Sequence, residues 1–353
     1  MKKRLLLFTI AFLLFLPFSV TADSAKSSIV VDLDSGRILY ENNSHQKRLI
    51  ASITKIMTAI IAIEEGNLTQ KVEIGDEVLS MYGTNIYVEV GEKMQLRDLI
   101  YGLLLRSGND ASVVIAKAVG GNEENFVNMM NKKAQEIGMN DTIFQNPHGL
   151  DEETENYSTA YDMALLSQYA FQNKTYRNIV STDKYEVSTG NKTYLWYNRN
   201  QLLTSYDYCT GGKNGYTPRA GKTLVTTASK NGLNLTVVTL SDGDSYNNHR
   251  SIYERIFSQY RKYKIIDKNH FDIDNEFVED DVYLRDSFYY PLTTNELNNI
   301  KTVVHFFDEA IEDEVGVIEI YLSDDLIGEL TIYKQKEKKE DFSFLSWLKK
   351  LFT

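Results

Sequence analysis

The first apolar runs of the chain predict a β-hairpin followed by a buried helix. Residues 28–33 are typical of a strand, residues 34–37 (Asp-Ser-Gly-Arg) of a turn, and residues 38–41 of a returning strand. Residues 53–63 are apolar except for two threonines and one lysine. Because a helix that is apolar on all sides is a buried one, we expect this segment at the centre of the fold.

Further along, two β-type runs predict a second hairpin, and apolar segments that end at turns predict more helices. The runs 223–229 and 233–240 are joined by Lys230-Asn231-Gly232, which suits a tight turn. The segments expected to be helical are residues 96–105, 111–119, 125–137, 160–170 and 251–263.

The composition changes near residue 264: residues 272–281 are acidic, and only β-type runs follow them up to residue 335. They cover residues 288–292, 300–307, 315–322 and 326–333. We interpret residues 264–335 as a small all-β domain that follows a larger domain over residues 23–263. The alternative is that these runs add strands to the main sheet.

Both ends of the chain suggest export and attachment to a membrane. Residues 1–22 combine three basic residues, an apolar run and a Val-Thr-Ala cleavage site, which predicts a signal peptide rather than a retained membrane helix. Residues 336–353 begin as a charged linker, and within residues 342–353 the apolar side chains that recur at helical spacing are Phe344, Leu345, Trp347, Leu348, Leu351 and Phe352. We expect this amphipathic helix to hold the protein on the outer face of the cytoplasmic membrane. Docking on the protein itself is the alternative.

Composition narrows the class of protein. The 353 residues, 42% of them hydrophobic, suit one large domain and a smaller one. With 49 acidic and 38 basic residues the net charge is −11, which argues against nucleic acid as a partner. Cys209 is the single cysteine, so no internal disulfide forms, and we expect a buried, inert thiol. The five histidines, of which His148 is expected to be structural, show no ligand spacing, so neither a metal nor a cofactor is expected.

Three short motifs carry the candidate chemistry, and the first is Ser52-Ile53-Thr54-Lys55. Positions i and i+3 of a helix share a face, so Lys55 would lie one turn from Ser52. A serine hydroxyl needs a base to act as a nucleophile at neutral pH. A lysine can be that base when burial and a neighbouring cation lower its pKa. The alternatives without a catalytic role are that Ser52 is a helix N-cap and that Lys55 extends along the surface to reach solvent.

The second and third motifs are Ser107-Gly108-Asn109 and Lys213-Asn214-Gly215. In the second, the hydroxyl would relay a proton to the leaving group, and the amide would bind a substrate carbonyl and Lys55. In the third, an edge strand would line the cleft, with a lysine for charge and a glycine for close approach of a ligand backbone. Ordinary turns are the alternative in both places.

Together the motifs resemble those of low-molecular-mass penicillin-binding proteins of the D-alanyl-D-alanine carboxypeptidase type. The resemblance covers roughly residues 26–262 and is weaker at residues 289–292. The third motif departs from the family pattern, since Asn214 replaces the usual threonine. The neighbouring segments that also carry the resemblance are residues 51–59, 104–111, 146–150, 157–160 and 215–221.

The resemblance implies an α+β fold: a serine β-lactamase/transpeptidase-like domain with an antiparallel sheet flanked by helices, then a small all-β domain and a C-terminal amphipathic helix. It also implies a serine-type carboxypeptidase that removes the terminal D-alanine from peptidoglycan stem peptides ending in D-Ala-D-Ala. β-Lactam antibiotics would be its covalent inhibitors.

The resemblance also assigns roles to residues of this sequence. Ser52 would be the acylated nucleophile and Lys55 its base, while Ser107 and Asn109 would assist proton transfer and substrate binding. The terminal carboxylate of the substrate would face Lys213, Asn214 and Arg250. Gly215 would permit close approach, and the backbone N–H groups of Ser52 and Tyr216 would form the oxyanion hole.

Two other functions remain open at this point. A β-lactamase would need a glutamate for deacylation, and Glu152 with Asn156 provides a Glu-x-x-x-Asn sequence between the second and third motifs. A binding protein with impaired catalysis would keep the fold, and the replacement of the usual threonine by Asn214 would be the sequence change that indicates the loss of efficient turnover.

Overall fold

A computed structural model describes residues 23–190, 192–271, 273 and 282–334. The described residues fall into two compact units. One lies within Met1–Lys230 and Asn234–Ile256, and the other within Asn231–Leu233 and Phe257–Thr353. Their strands, in chain order, are β1 (Ala25–Asp32), β2 (Ile38–Asn42), β3 (Arg48–Leu49), β4 (Lys71–Glu73), β5 (Lys93–Gln95), β6 (Tyr157–Ser158), β7 (Lys184–Ser188), β8 (Thr193–Tyr197), β9 (Cys209–Thr217), β10 (Gly221–Lys230), β11 (Leu233–Asp242), β12 (Arg261–Ile266), β13 (Val282–Leu284), β14 (Phe288–Leu292), β15 (Ile300–Ile311), β16 (Glu314–Leu322) and β17 (Asp325–Lys334). Their helices are α1 (Lys55–Glu65), α2 (Leu96–Tyr101), α3 (Asn109–Gly120), α4 (Glu123–Glu136), α5 (Ala160–Gln172), α6 (Lys174–Val180), α7 (Leu202–Ser205) and α8 (Ser245–Gln259).

The first unit is built on a five-stranded sheet with the order β2-β1-β11-β10-β9. The β1–β2, β1–β11 and β9–β10 pairs are antiparallel. Both predicted hairpins are confirmed, as β1–β2 and β10–β11. Asn231 and Gly232 have φ angles of 53° and 81°, the left-handed values that a tight two-residue turn requires.

Helix α1 lies in the core of this unit. Eight of its residues, from Lys55 to Ala62, are buried. The predicted buried helix is therefore confirmed, although a short 3₁₀ turn, Ala51–Thr54, comes before its first α-helical residue. The predicted helical segments 111–119, 125–137 and 160–170 correspond to α3, α4 and α5 within a few residues.

Two predicted helices have different bounds. The α-helix that begins at Leu96 ends at Tyr101 and continues as a π-helical turn, Gly102–Arg106. The closing helix α8 lies earlier than predicted, and residues 261–263 belong to strand β12 instead. The Arg261 guanidinium donates to the carbonyls of Phe257 (2.6 Å) and Tyr260 (2.7 Å), so it satisfies carbonyl groups at the end of the helix.

The second unit contains a four-stranded sheet, β13-β17-β16-β15, and a two-stranded sheet, β12-β14. The four β-type runs seen in the sequence correspond to strands β14 to β17. A small apolar core, made by one face of the larger sheet and its neighbours, includes the buried residues Leu284, Val315, Ile318, Ile320 and Ile332.

The predicted signal peptide (1–22), most of the acidic stretch 272–281, and the predicted linker and anchor (336–353) lie outside the described residues. Within the described part of the chain, no helix is both long and apolar enough to cross a membrane.

Candidate active site

Ser52 lies in the 3₁₀ turn that leads into α1, partly exposed at the surface of the core. The residue before it, Ala51, has a φ angle of 49°, a left-handed conformation that is costly for a residue with a Cβ atom. Gly149 packs directly against this point, because a Cβ atom there would lie 2.0 Å from the Ala51 carbonyl oxygen. A glycine with φ of 84° therefore makes room for the strained turn that presents Ser52.

Lys55 is fully buried one turn after Ser52, and its amine has three neutral partners. Nζ lies 3.1 Å from Ser52 Oγ, and it donates to Asn109 Oδ1 at 2.7 Å and to the His148 carbonyl oxygen at 2.5 Å. The structure thus brings the predicted nucleophile, base and amide of the first two motifs into direct contact. It also places the backbone of His148 in the site, a contact that the sequence did not indicate.

The electrostatics of the site favour neutral lysines. Burial lowers the pKa of Lys55 to about 7, with Asp110 opposing the shift and Arg199 adding to it. Burial also holds the pKa of Lys213 well below its usual range, and the positive charges of Lys55 and Arg199 push in the same direction. When two buried amines are close enough to interact, protonating both costs extra free energy because the two positive charges repel each other.

The second motif lies between the π-helical turn and α3. Ser107, 5% exposed, has a left-handed conformation (φ 66°, ψ 38°), and Asn109 begins α3. Asn109 Nδ2 donates to the Tyr82 carbonyl oxygen at 2.7 Å, while its Oδ1 accepts from Lys55. Asn109 therefore joins the predicted base to the loop around Tyr82.

Asp110 also binds the loop that contains Tyr82, a role that the sequence did not indicate. Its carboxylate accepts from the backbone N–H groups of Ile86 (2.9 Å), Tyr87 (2.7 Å) and Val88 (3.4 Å). A carboxylate that accepts several backbone N–H groups fixes a loop firmly. An aspartate in the first turn of a helix is common in proteins, because its charge complements the helix dipole, so its position in the sequence does not reveal this role.

The third motif lies on β9, the edge strand of the main sheet, as the functional interpretation of the sequence predicted. Lys213 is buried, and its Nζ donates to the Asn214 carbonyl oxygen at 2.6 Å, with Asn214 Oδ1 at 3.4 Å. A Cβ atom on Gly215 would lie 2.8 Å from the Ser52 backbone nitrogen, so the strand passes close to the nucleophile. Tyr216, the next residue, is 64% exposed.

Two arginines, Arg250 and Arg199, have different relations to the active site around Ser52 and Lys55. Arg250 is exposed, donates to the Ser205 carbonyl oxygen, and lies over the Tyr206 ring at 5.9 Å. Its contact with a substrate carboxylate stays a prediction. Arg199, which the sequence had not indicated, lowers the pKa of both Lys55 and Lys213 through its charge, and its guanidinium donates to Thr84 Oγ1 at 3.0 Å.

The segment 146–156 packs against the turn that carries Ser52 and holds it through hydrogen bonds. Asn156 is buried, and its amide donates to Thr54 Oγ1 at 3.0 Å and to the Asn146 carbonyl at 2.9 Å. Burial lowers the pKa of His148 to about 3, so its ring is neutral, and Nδ1 accepts from the Leu150 N–H. Asn156 thus has a structural task, while Glu152 is exposed.

Cys209 lies at the start of β9 and is half-buried rather than fully buried. Burial raises the pKa of its thiol, which keeps it protonated and a weak nucleophile. Within the described residues, no group of three or more His, Cys, Asp or Glu side chains could hold a metal ion.

Comparison with known proteins identifies the family. A family model described as D-alanyl-D-alanine carboxypeptidase matches residues 18–244. The D-alanyl-D-alanine carboxypeptidase DacF of Bacillus subtilis is 34% identical over 260 residues, which are 71% of this chain and 67% of DacF. DacC of Escherichia coli is 33% identical over 61% of this chain, and the match spans 56% of DacC, less than two thirds of its length.

A solved structure agrees with these matches. The crystal structure of penicillin binding protein 6B from Escherichia coli has a TM-score of 0.70 and 26% identity, and the match covers 89% of this chain and 97% of that one. The chain belongs to the D-alanyl-D-alanine carboxypeptidase family, the penicillin-binding proteins of low molecular mass, and is a serine peptidase of that family.

Proposed function

We propose that the protein removes the terminal D-alanine from peptidoglycan stem peptides through an acyl-enzyme on Ser52. The observation that carries this proposal is the set of partners around the Lys55 amine. A neutral amine has two N–H donors and one lone pair. Since Asn109 Oδ1 and the His148 carbonyl can only accept, they occupy both donors, and the lone pair is left for the Ser52 hydroxyl, 3.1 Å away.

The reaction then follows from these positions. Ser52 Oγ attacks the carbonyl carbon of the penultimate D-alanine while its proton passes to Lys55. The backbone N–H groups of Ser52 and Tyr216 stabilise the oxyanion. The peptide C–N bond breaks, and the leaving D-alanine nitrogen takes the proton that Lys55 accepted from Ser52, relayed through the Ser107 hydroxyl. Water then hydrolyses the ester and restores Ser52.

Recognition of the substrate's terminal carboxylate is assigned to Lys213, Asn214 and Arg250. The close passage of β9 at Gly215 beside the Ser52 amide supports this, because an extended peptide lying along that strand would reach the nucleophile. The Asn214 amide can donate to a carboxylate, although it lacks the hydroxyl of the threonine that is usual in the family.

The test is mass spectrometry of the protein after incubation with penicillin, followed by peptide mapping. We expect a lasting adduct of one drug molecule on Ser52 and none on a Ser52→Ala variant. An unmodified Ser52 after long incubation would favour an impaired binding protein. Rapid destruction of the drug with no lasting adduct would favour a β-lactamase.

The role of Lys55 has its own test. Lys55→Ala should slow acylation by about 10²–10⁴, since this is the usual contribution of a general base. A matched control is Lys47→Ala, because Lys47 is exposed and pairs only with Asp141 at 3.0 Å among the described contacts. Circular dichroism would verify that both variants are folded. Acylation of the Lys55 variant at the parent rate would exclude Lys55 as the base.

We also infer that residues 264–335 act as a separate all-β domain, and that the protein is exported and held on the outer face of the cytoplasmic membrane by residues 342–353. The separate sheets of the second unit support the first inference. The apolar residues at helical spacing near the C-terminus support the second. Neither a metal nor a cofactor is needed for the proposed reaction.

A further inference from the structure

A cavity of about 290 Å³ lies within the first unit, between helices α5 and α6 and the main sheet. Helix α6 packs against strand β9 beside it. Phe171 of α5, Val180 of α6 and Val225 of β10 form part of its wall. None of the site residues assigned above lines it. The cavity is therefore separate from the cleft at Ser52, and the proposed reaction makes no use of it.

The wall of the cavity is mostly apolar, so its occupant should have an apolar body. Val180 and Val225 are buried, and Phe171 lines the cavity beside them. Since one water takes about 30 Å³ of the liquid, the space corresponds to about ten waters, or to an organic molecule of roughly ten non-hydrogen atoms. The transfer of such a molecule from water onto an apolar wall is favourable.

Tyr176 of α6 gives the cavity a hydrogen-bond donor that the protein does not use. It lines the cavity and is 5% exposed, yet its hydroxyl has no hydrogen-bond partner among the described residues. Part of the hydroxyl surface is accessible, and the cavity is what reaches it. Burial raises the pKa of Tyr176, which keeps the phenol protonated. A donor without a partner costs free energy in such a place, and an acceptor inside the cavity would remove that cost.

Arg177, the next residue, supplies a positive charge at the same cavity. One of its guanidinium nitrogens donates to the Phe171 carbonyl oxygen, and the guanidinium lies over the Phe171 ring at 5.3 Å. These contacts hold the side chain in place, while its other N–H groups have no partner among the described residues. A guanidinium with free N–H groups is suited to binding a carboxylate.

The other hydroxyl groups of the wall argue against a highly polar occupant such as a sugar. Thr210 and Thr227 bond each other through their hydroxyls at 2.7 Å, and Ser167 bonds Thr236 at 2.8 Å. These hydroxyls are satisfied within the protein and need no ligand. The wall therefore favours an occupant with one polar end over an occupant with many polar groups.

The charge of the wall favours an anion at that polar end. Among the described residues that line the cavity, Arg177 is the one charged side chain, and none is Asp or Glu. Asp34 does not line the cavity, but it accepts from the amide of Asn234, a lining residue, at 3.1 Å. That carboxylate is exposed, so water screens its charge.

We propose that this cavity binds a small organic carboxylate with a compact apolar body. The carboxylate would bind the free N–H groups of Arg177, and the Tyr176 hydroxyl would donate to an oxygen of the same ligand. The apolar body would pack against Phe171, Val180 and Val225. A neutral molecule of the same shape would lose the charge contact with Arg177, and a cation would be repelled by it.

The probe for this site is 4-ethylbenzoate, a carboxylate of about the required size. Its binding to the full chain in lipid nanodiscs would be followed by ligand-observed NMR, with empty nanodiscs as the blank. We expect saturable binding with a Kd of about 1 mM or lower, which a ligand of this size can reach. 4-Ethylbenzamide has nearly the same shape but no charge, and it should bind about tenfold more weakly.

Two variants test whether the probe lies in the cavity. Arg177→Gln should weaken 4-ethylbenzoate binding by about tenfold and leave 4-ethylbenzamide binding unchanged. Tyr176→Phe should weaken 4-ethylbenzoate binding by about fivefold. Because the hydroxyl bonds nothing in the free protein, Tyr176→Phe should not lower the Tm. Arg97→Gln, a change at an exposed arginine that does not line the cavity, is the control and should bind the probe as the parent does.

Three binding results would overturn the proposal. The first is an absence of saturable binding to the parent chain beyond the blank. The second is parental affinity in both cavity variants, which would place the probe elsewhere on the protein. The third is equal affinity for the benzamide and the benzoate, since the charge of Arg177 would then play no part. A lower Tm in Tyr176→Phe would also contradict it, because the hydroxyl would then already have a partner in the folded protein.

Discussion

At the scale of single residues, the chemistry depends on the burial of the Lys55 amine among neutral hydrogen-bond partners. Its three hydrogen-bond partners are neutral, and burial lowers its pKa to about 7. The fraction of neutral amine therefore rises as the pH passes through about 7. We expect the rate of penicillin acylation to rise over the same range, as measured by the loss of free Ser52 in intact-mass spectra. A rate that is flat from pH 5 to 9 would contradict this account.

Arg199 should set the position of that rise. Its positive charge lowers the pKa of Lys55, so Arg199→Gln should move the rising limb to higher pH. Because Arg199 is exposed, added salt should reduce the difference between the parent and the variant. Arg97→Gln, a change at an exposed arginine beside Asp98, is the control. An unchanged profile in the Arg199 variant would show that solvent already screens its charge.

Asn214 is the one residue of the three motifs that departs from the family pattern. Asn214→Thr should raise kcat/KM on D-Ala-D-Ala peptides several-fold at most, because a neutral hydrogen bond contributes about 0.5–1.5 kcal/mol. Asn214→Val has the shape of threonine without the hydroxyl, so it separates shape from hydrogen bonding. If threonine lowers kcat/KM, the asparagine is an adaptation to this enzyme's own substrate.

At the scale of elements, the turn before α1 depends on Gly149, ninety-eight positions after Ala51. Gly149→Ala would place a methyl group against the Ala51 carbonyl and would also strain a backbone with φ of 84°. We expect a loss of more than about 2 kcal/mol in the free energy of unfolding and a much slower acylation of Ser52. Denaturant titration measures the first effect. Gly138→Ala is a matched control, since it has a similar φ of 83° but nothing within 4 Å of the added atom.

The elements that sequence could predict are those whose pattern is local. The hairpin turn at Asn231-Gly232 and the wholly apolar run of α1 each determine their structure over a few residues. The β7–β8 hairpin was not predicted because each of its strands is only five residues long, although exposed residues alternate with half-buried ones in β7 and with buried ones in β8. The residues of the active site also fall into those with a local sequence pattern and those without one. Ser52 and Lys55 are neighbours in sequence, whereas Arg199 and Gly149 act through space and leave no motif.

At the scale of the whole molecule, attachment to the membrane is expected to depend on the C-terminal residues. Deleting residues 342–353 should release an active enzyme into the soluble fraction, since the apolar side chains drive interfacial binding. Two lysines add about 1 kcal/mol each near an anionic surface. Replacing Phe344, Trp347 and Leu348 with serine keeps the length and charge and should have the same effect. A truncated protein that still pellets with membranes would mean that another segment anchors it.

The amide of Asn109 has a consequence for the durability of the enzyme. Its oxygen holds the base and its nitrogen holds the Tyr82 loop, so the side chain has one permitted orientation and no charge. Aspartate has the same outline, but its negative charge would keep Lys55 protonated, and its second oxygen would repel the Tyr82 carbonyl. Deamidation, the slow hydrolysis that turns asparagine into aspartate, would thus prevent Lys55 from acting as a base without changing the shape of the site. Because Asn109 is 3% exposed and both ends of its amide are hydrogen-bonded, we expect this hydrolysis to be slow in the folded protein.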